Sequence, residues 1–282
     1  MTRGTRKTVG AVVHAVLAWS VLLAISFPML WALLTSFRPK ADVITFPLIV
    51  WPERFTLENY FRIINDTAFV RLFINSCIVA GGTTLFVLAI ATLGAYGLTR
   101  FRFRGRELMA GVVLFTYFLP STILVIPMFL TLKTLGVLDF QPLVGLIIAY
   151  TTIALPFALW LLRLFFLALP KEVEEAARVD GASRMEIFLE IVLPQALPGI
   201  IAAGIFTFIV AFNEYLFSFI FINSEKHRTL PVGAYFIMRT SYEIEWQNVM
   251  ALSVLMTVPV LIAISGFQRY LLTGFGLGGG KG

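Results

Sequence analysis

Between Glu172 and Pro194 a run of charged residues interrupts an apolar chain: Glu172, Glu174, Glu175, Arg178, Asp180, Arg184, Glu186 and Glu190. No nucleophile–base pair accompanies them, so the chemistry open to this cassette is recognition of another charged surface, not catalysis. Leu169-Pro170 starts a helix over about 170–180, because proline suits a first helical turn and the early glutamates oppose the positive helix end. Val173, Ala176 and Ala177, at i, i+3 and i+4, give that helix a small apolar face which another surface can approach closely. Gly181 falls where a left-handed cap would end it. Ser183-Arg-Met-Glu186 reads as a capping box, opening a second helix that is expected to run to a break at Leu193-Pro194. Its stripe of Met185, Phe188, Leu189 and Val192 is expected to anchor it on the rest of the chain.

Other candidate chemistries fail on spacing. The tail Gly274-Phe-Gly-Leu-Gly-Gly-Gly-Lys-Gly282 resembles a phosphate loop, but Phe275 takes the first glycine position and neither Ser/Thr nor a helix follows Lys281. His14 and His227 are far apart, Cys77 is the lone cysteine, and no metal set or catalytic cluster can be assembled. The net charge of +6 and the run Arg100-Phe-Arg-Phe-Arg-Gly-Arg106 mark a topology signal at a helix end in place of a nucleic-acid surface.

The elements that must position the cassette are membrane helices. With 59% hydrophobic and 13% charged residues, too little polar surface remains to coat a water-soluble domain. Crossing a hydrocarbon core takes roughly 20 apolar residues, and stretches of that kind lie at about 11–34, 72–98, 108–131, 143–167, 199–222 and 248–271. They lack the period-2 alternation of membrane strands, which makes the chain all-α. Prolines 28, 120, 127, 156 and 259 lie inside them and can kink them. Basic residues at the start, at 100–106 and at Arg269 and Lys281 predict both termini and the cassette at 168–198 on the cytoplasmic side. The outside segments are then 35–71, 132–142 and 223–247. The first apolar run is too long for a secretory signal core and is read as an uncleaved anchor.

Within this frame, Thr56 can cap a short interfacial helix with an apolar face of Leu57, Tyr60, Phe61 and Ile64. Asn213 and Glu214 fall in the fifth span, where polar groups face protein or water; they either line a pathway or bond another helix. The segment 223–247, with Glu225, Lys226, His227 and Trp246, is long enough to leave the membrane surface.

The spacing E-A-A-x3-G-x9-I-x-L-P, filled by Glu175, Ala176, Ala177, Gly181, Ile191, Leu193 and Pro194, resembles the EAA loop of permease subunits of binding-protein-dependent ABC importers. Phe55-Thr-Leu-Glu-Asn-Tyr60, Ala211-Phe-Asn-Glu-Tyr-Leu216 and the Gly-rich end are similar to the MalG-like, carbohydrate branch. The resemblance implies a type I importer permease with a MetI-like fold and six transmembrane helices, in a prokaryotic cytoplasmic membrane. Implied partners are a second, related permease, two ABC ATPases that bind ATP and Mg, an extracellular binding protein and membrane lipid; no cofactor belongs to this chain. By the same resemblance Glu175, Ala176, Ala177, Asp180, Gly181, Ile191, Leu193 and Pro194 couple to the ATPase. Glu225, Lys226, His227 and Trp246 then meet the binding protein, and Gly278, Gly279, Gly280 and Lys281 reach toward the ATPase. The implied cargo is a sugar or oligosaccharide. Another solute, such as glycerol phosphate, a polyamine or an amino acid, is the alternative within the class, and a secondary transporter the alternative outside it.

Overall fold

The computed structural model describes residues 3–44, 51–52, 54–239 and 244–276, and side chains within 12–44, 51–52, 54–236 and 244–266. Among the described residues every regular element is helical. Five helical stretches are long and apolar enough to cross a membrane: Val12–Ser36, Thr67–Arg100, Pro142–Ala168, Arg184–Phe212 and Trp246–Gly266. A sixth crossing requires two shorter helices to be taken together.

The chain divides into two compact units, Met1–Asp66 with Ile237–Val258, and Thr67–Phe236 with Pro259–Gly282. In the first, helix α1 (Arg3–Ser36) leads to a short helix, α2 (Glu58–Ile64). Leu57 takes the N-cap position expected for Thr56 and offers no side-chain bond; Thr56, one residue earlier, accepts from the Glu58 amide at 3.1 Å in a local turn. Leu57, Phe61 and Ile64 face outward, as an interfacial helix requires. The inward anchor is polar: buried Asn59 donates to the carbonyls of Ser36 (2.8 Å) and Arg38 (2.9 Å), satisfying one acceptor at the end of α1 and one just past it. Tyr60 adds a 2.6 Å hydroxyl contact to Ser36. Glu245 takes Lys40 at 3.0 Å and Arg62 at 3.1 Å on its two oxygens.

The second unit is built on α3 (Thr67–Arg100), α7 (Pro142–Ala168) and α10 (Leu193–Phe212), which pack against one another. Their shared core is rich in alanine: Ala91 and Ala95 of α3, Ala154 and Ala158 of α7, Ala196 and Ala203 of α10. Without a hydrophobic driving force between helices in lipid, small residues that let backbones approach are what van der Waals packing requires. Gly199 of α10 shows how close: a Cβ there would lie 2.4 Å from Cγ of Phe165 on α7.

Two expected spans are interrupted. The run at 108–131 forms α4 (Arg106–Tyr117) and α5 (Ser121–Thr134), bent 96° from each other. The corner is Phe118-Leu119-Pro120: α4 closes with tight bonds from Phe118 to Phe115 (3.1 Å) and Leu119 to Thr116 (3.2 Å), and Leu119 precedes a proline that disfavours continued helix. The run at 199–222 ends as α10 at Phe212 and resumes as α11 (Leu216–Phe221). The segments expected outside also hold helices, α6 (Val137–Phe140) and α12 (Leu230–Arg239), before α13 (Trp246–Gly276).

Gly199→Ala is expected to destabilise the α7–α10 contact by about 1–3 kcal/mol, because the base of an aromatic ring cannot swing aside as a flexible chain end would. A thermal unfolding scan of the detergent-purified protein should show the lower midpoint, and an unchanged midpoint would mean the helices part at no cost.

Candidate functional site

The cassette's first helix opens two residues later than expected, with Pro170 ahead of its N-cap Lys171, and ends where expected. Helix α8 (Glu172–Val179) carries its three glutamates in the first turn, and its last carbonyls are closed by Gly181, at φ +89°, with Ala182 N donating to Ala177 O at 3.0 Å. Only glycine takes that backbone angle without a Cβ penalty. Ser183 and Glu186 form the reciprocal capping box: Ser183 N donates to Oε2 of Glu186 at 2.7 Å and Glu186 N to Oγ of Ser183 at 3.3 Å.

Beyond the box the expected break is absent. Helix α9 (Arg184–Glu186) passes through a π-helical stretch, Ile187–Val192, directly into α10. Pro194 has no N–H and its ring crowds the preceding turn; the wide turn before it relieves that crowding without stopping the helix. The same widening changes the buried stripe. Turns closed i to i+5 bring Ile187 and Val192 into line, so these two and Phe188 are buried, whereas Met185 and Leu189 are 63% and 49% exposed. The expected anchor of Met185, Phe188, Leu189 and Val192 is therefore half right, and Ile187 was missed because the α period was assumed.

Ile187 and Val192 enter the alanine-rich core of α3, α7 and α10, with Ala177, Ala182 and Ile191 packed at its margin. On α8, Glu174 is buried while Glu175, Ala176, Arg178 and Asp180 are exposed and Val179 is 88% exposed. The two adjacent glutamates thus have opposite fates. Glu174 Oε1 accepts from Nε of Arg100, the last residue of α3, at 2.6 Å. Leu193 and Pro194 open α10.

Asn213 and Glu214 sit at the interruption of the fifth span. Asn213 N and Nδ2 both donate to Ile209 O, at 3.2 and 2.9 Å, closing the end of α10. Glu214 accepts from Leu216 N at 2.9 Å, Phe217 N at 3.1 Å and Ser218 N at 3.4 Å, covering the amides that open α11. One polar residue caps each side of the break, a role that the two sequence alternatives did not include. Asn213 is exposed, Glu214 half-buried.

In 223–230 the backbone is held by α3. Asn75 Nδ2 donates to the carbonyls of Lys226 and Arg228, both at 2.9 Å, and Ser76 Oγ accepts from Leu230 N at 2.7 Å. Glu225 and Lys226 are exposed, His227 is half-buried, and buried Leu230, Val232 and Ala234 fix α12. The stretch is a folded element and not a free loop. Trp246, exposed, belongs to the other unit. Gly278, Gly279, Gly280 and Lys281 lie outside the described residues. No group of His, Cys, Asp and Glu among the described residues could hold a metal.

Residues 87–275 match the family described as binding-protein-dependent transport system inner membrane component. The chain belongs to this family. Its alanine-rich core, cassette and broken fifth span all lie inside the matched region. The trehalose/maltose transport system permease protein MalG of Thermococcus litoralis is 37% identical, covering 93% of this chain and 95% of that one. The diacetylchitobiose uptake system permease protein NgcG of Streptomyces coelicolor is 35% identical over 92% and 85%. Among solved structures, a chain of a bacterial ABC transporter involved in import of the acidic polysaccharide alginate superposes with a TM-score of 0.81 at 24% identity, covering 96% of this chain and 98% of that one; this is likeness of fold. The protein is thus a multi-pass membrane permease of an ABC importer, with the fold that its EAA spacing implied.

Gly181→Ala in this permease is expected to cost about 1–2 kcal/mol, the strain of a left-handed non-glycine residue. Limited proteolysis should open the α8–α9 turn first in that variant. Asn at 181, which tolerates the conformation, should be cut at nearly the native rate.

Proposed function

We propose that this permease pairs with a related, non-identical permease to enclose the translocation path of an ATP-driven importer for a sugar or oligosaccharide, with α8 as its contact for the ATPase. The observation that carries this reading is the division of the cassette. One half is locked into the core of the spans, while Glu175, Ala176, Val179 and Asp180 are presented outward on a short helix. An exposed valine beside alanine and carboxylates suits a partner cleft with a basic rim, since small apolar side chains permit close approach and the charges set orientation. Ile191, Leu193 and Pro194 serve the inner half, as the route from that helix into α10.

In this proposal both termini and the cassette are cytoplasmic, in keeping with the arginines at 100–106. Two ATPase subunits bind ATP and Mg, hydrolyse it, and drive alternating access of the spans through the cassette. Asn213 and Glu214 border the pathway at the break in the fifth span. Glu225, Lys226, His227 and Trp246 meet an external binding protein that delivers the cargo, and the residues from Gly278 to Lys281 reach the ATPases. The sugar assignment is supported by relatives named for trehalose, maltose and diacetylchitobiose uptake. The fold does not choose the cargo: a chain of a methionine ABC transporter shares it at a TM-score of 0.55 and 18% identity.

Glu175→Lys is expected to reduce ATP-linked uptake by on the order of tenfold, by placing like charge against a basic docking surface while leaving the spans folded. Transport into proteoliposomes by the assembled complex is the assay; unimpaired uptake would remove Glu175 from the coupling role.

A further inference from the structure

The cassette is gripped at two points by one turn of α3. Tyr96 and Arg100 are four residues apart and so share a face of that helix. Tyr96 packs its ring against Phe188, centroid to centroid 4.7 Å, on the half of the cassette that leads into α10. Arg100 holds Glu174 on the other half, across 74 residues of sequence. The side chains of this ion pair are only 8% and 6% exposed. Arg100 Nη2 also reaches the Leu169 carbonyl, at 3.5 Å, in the linker that leads into α8.

A buried pair of this kind has a mechanical property that apolar packing lacks. Alanine surfaces can slide past one another with little change in energy, but separating two desolvated opposite charges leaves each uncompensated in a medium of low dielectric. A displacement of α8 therefore carries the end of α3 with it. The bond to Glu174 itself runs through Nε, the hold on the Leu169 carbonyl is long, and Arg100 Nη1 is buried without a partner, so the ion pair can pivot while its length is kept.

We infer that Arg100 and Glu174 form the joint by which movement of α8 is passed to α3, the span packed along both α7 and α10. Glu174 and Glu175 then divide the work of one helix turn: the exposed residue meets the ATPase, and the buried one carries the motion inward. Both members of the pair are positioning residues. The inference rests on the reading of α8 as the ATPase contact.

The test uses the intact importer, purified from native membranes with its ATPases and binding protein. The readout is the stimulation of ATP hydrolysis by the binding protein carrying the ligand with which it was isolated. Glu174→Gln and Arg100→Gln should keep the ATPases at native stoichiometry but lose about tenfold of that stimulation, the scale of a typical coupling between sites. The exchange Arg100→Glu with Glu174→Arg should restore most of it, as a direct pairing requires. Glu175→Lys serves as the reference for the docking surface. Native stimulation in both single variants, with Glu175→Lys impaired, overturns the joint and leaves the ATPase contact standing. Native stimulation in all three overturns the contact as well. Loss of the ATPases from the single variants, or an assembled but unstimulated exchange variant, also overturns the joint, because the pair would then serve folding or docking.

Discussion

A peptide group inside hydrocarbon can bond only to its own protein, and three departures from regular helix along the described spans answer that constraint. At Phe118-Leu119-Pro120 the carbonyls near the end of α4 are closed by tighter turns before the chain swings through 96°. Before Pro194 the helix widens and continues. At Asn213-Glu214 one tight bond, from Glu214 N to Ala211 O, is joined by side chains: an amide closes one helix end and a carboxylate opens the next. The sequence supplies a proline or a polar pair at each site because a break without one would leave donors or acceptors stranded.

Between these points the spans are held by shape. The alanines of α3, α7 and α10 form a seam that brings the helix backbones together, and the cassette is admitted to the same seam through Ile187 and Val192. Charged groups sit at the seam's end and do not interrupt it: Arg100 meets Glu174, and Arg163 of α7 meets Glu107 of α4 while its guanidinium lies 5.2 Å from the Trp160 ring centre. The cassette is thus at once core and surface, as the coupling role proposed for it requires.

Local chemistry was legible in the sequence, and register was not. Gly181 and the Ser183–Glu186 box depend on residues within one turn of each other and are found where the spacing predicts, while α8 opens two residues late, with Pro170 ahead of its cap. The π stretch shifts the buried stripe because a turn wider than the α period is invisible to pattern counting. Asn59 was passed over in favour of its apolar neighbours, since nothing local shows that the carbonyls of Ser36 and Arg38 need donors. Arg100 was legible only as a topology charge: its partner is 74 residues away, and no spacing rule reaches that far. Asn213 and Glu214 were singled out as costly in a span, but the break they cap had no other mark in an apolar run.

In helix α1 the described side chains from Val12 to Leu30 are exposed, Ser26 apart. During synthesis it must enter the bilayer on hydropathy alone, before the seam it precedes exists. Insertion asks for hydropathy and not for shape, so exchanging leucine for valine or isoleucine in the exposed part of the window leaves that step intact. An introduced charge would be resisted at the moment of insertion, and so α1 should drift in identity while keeping its composition.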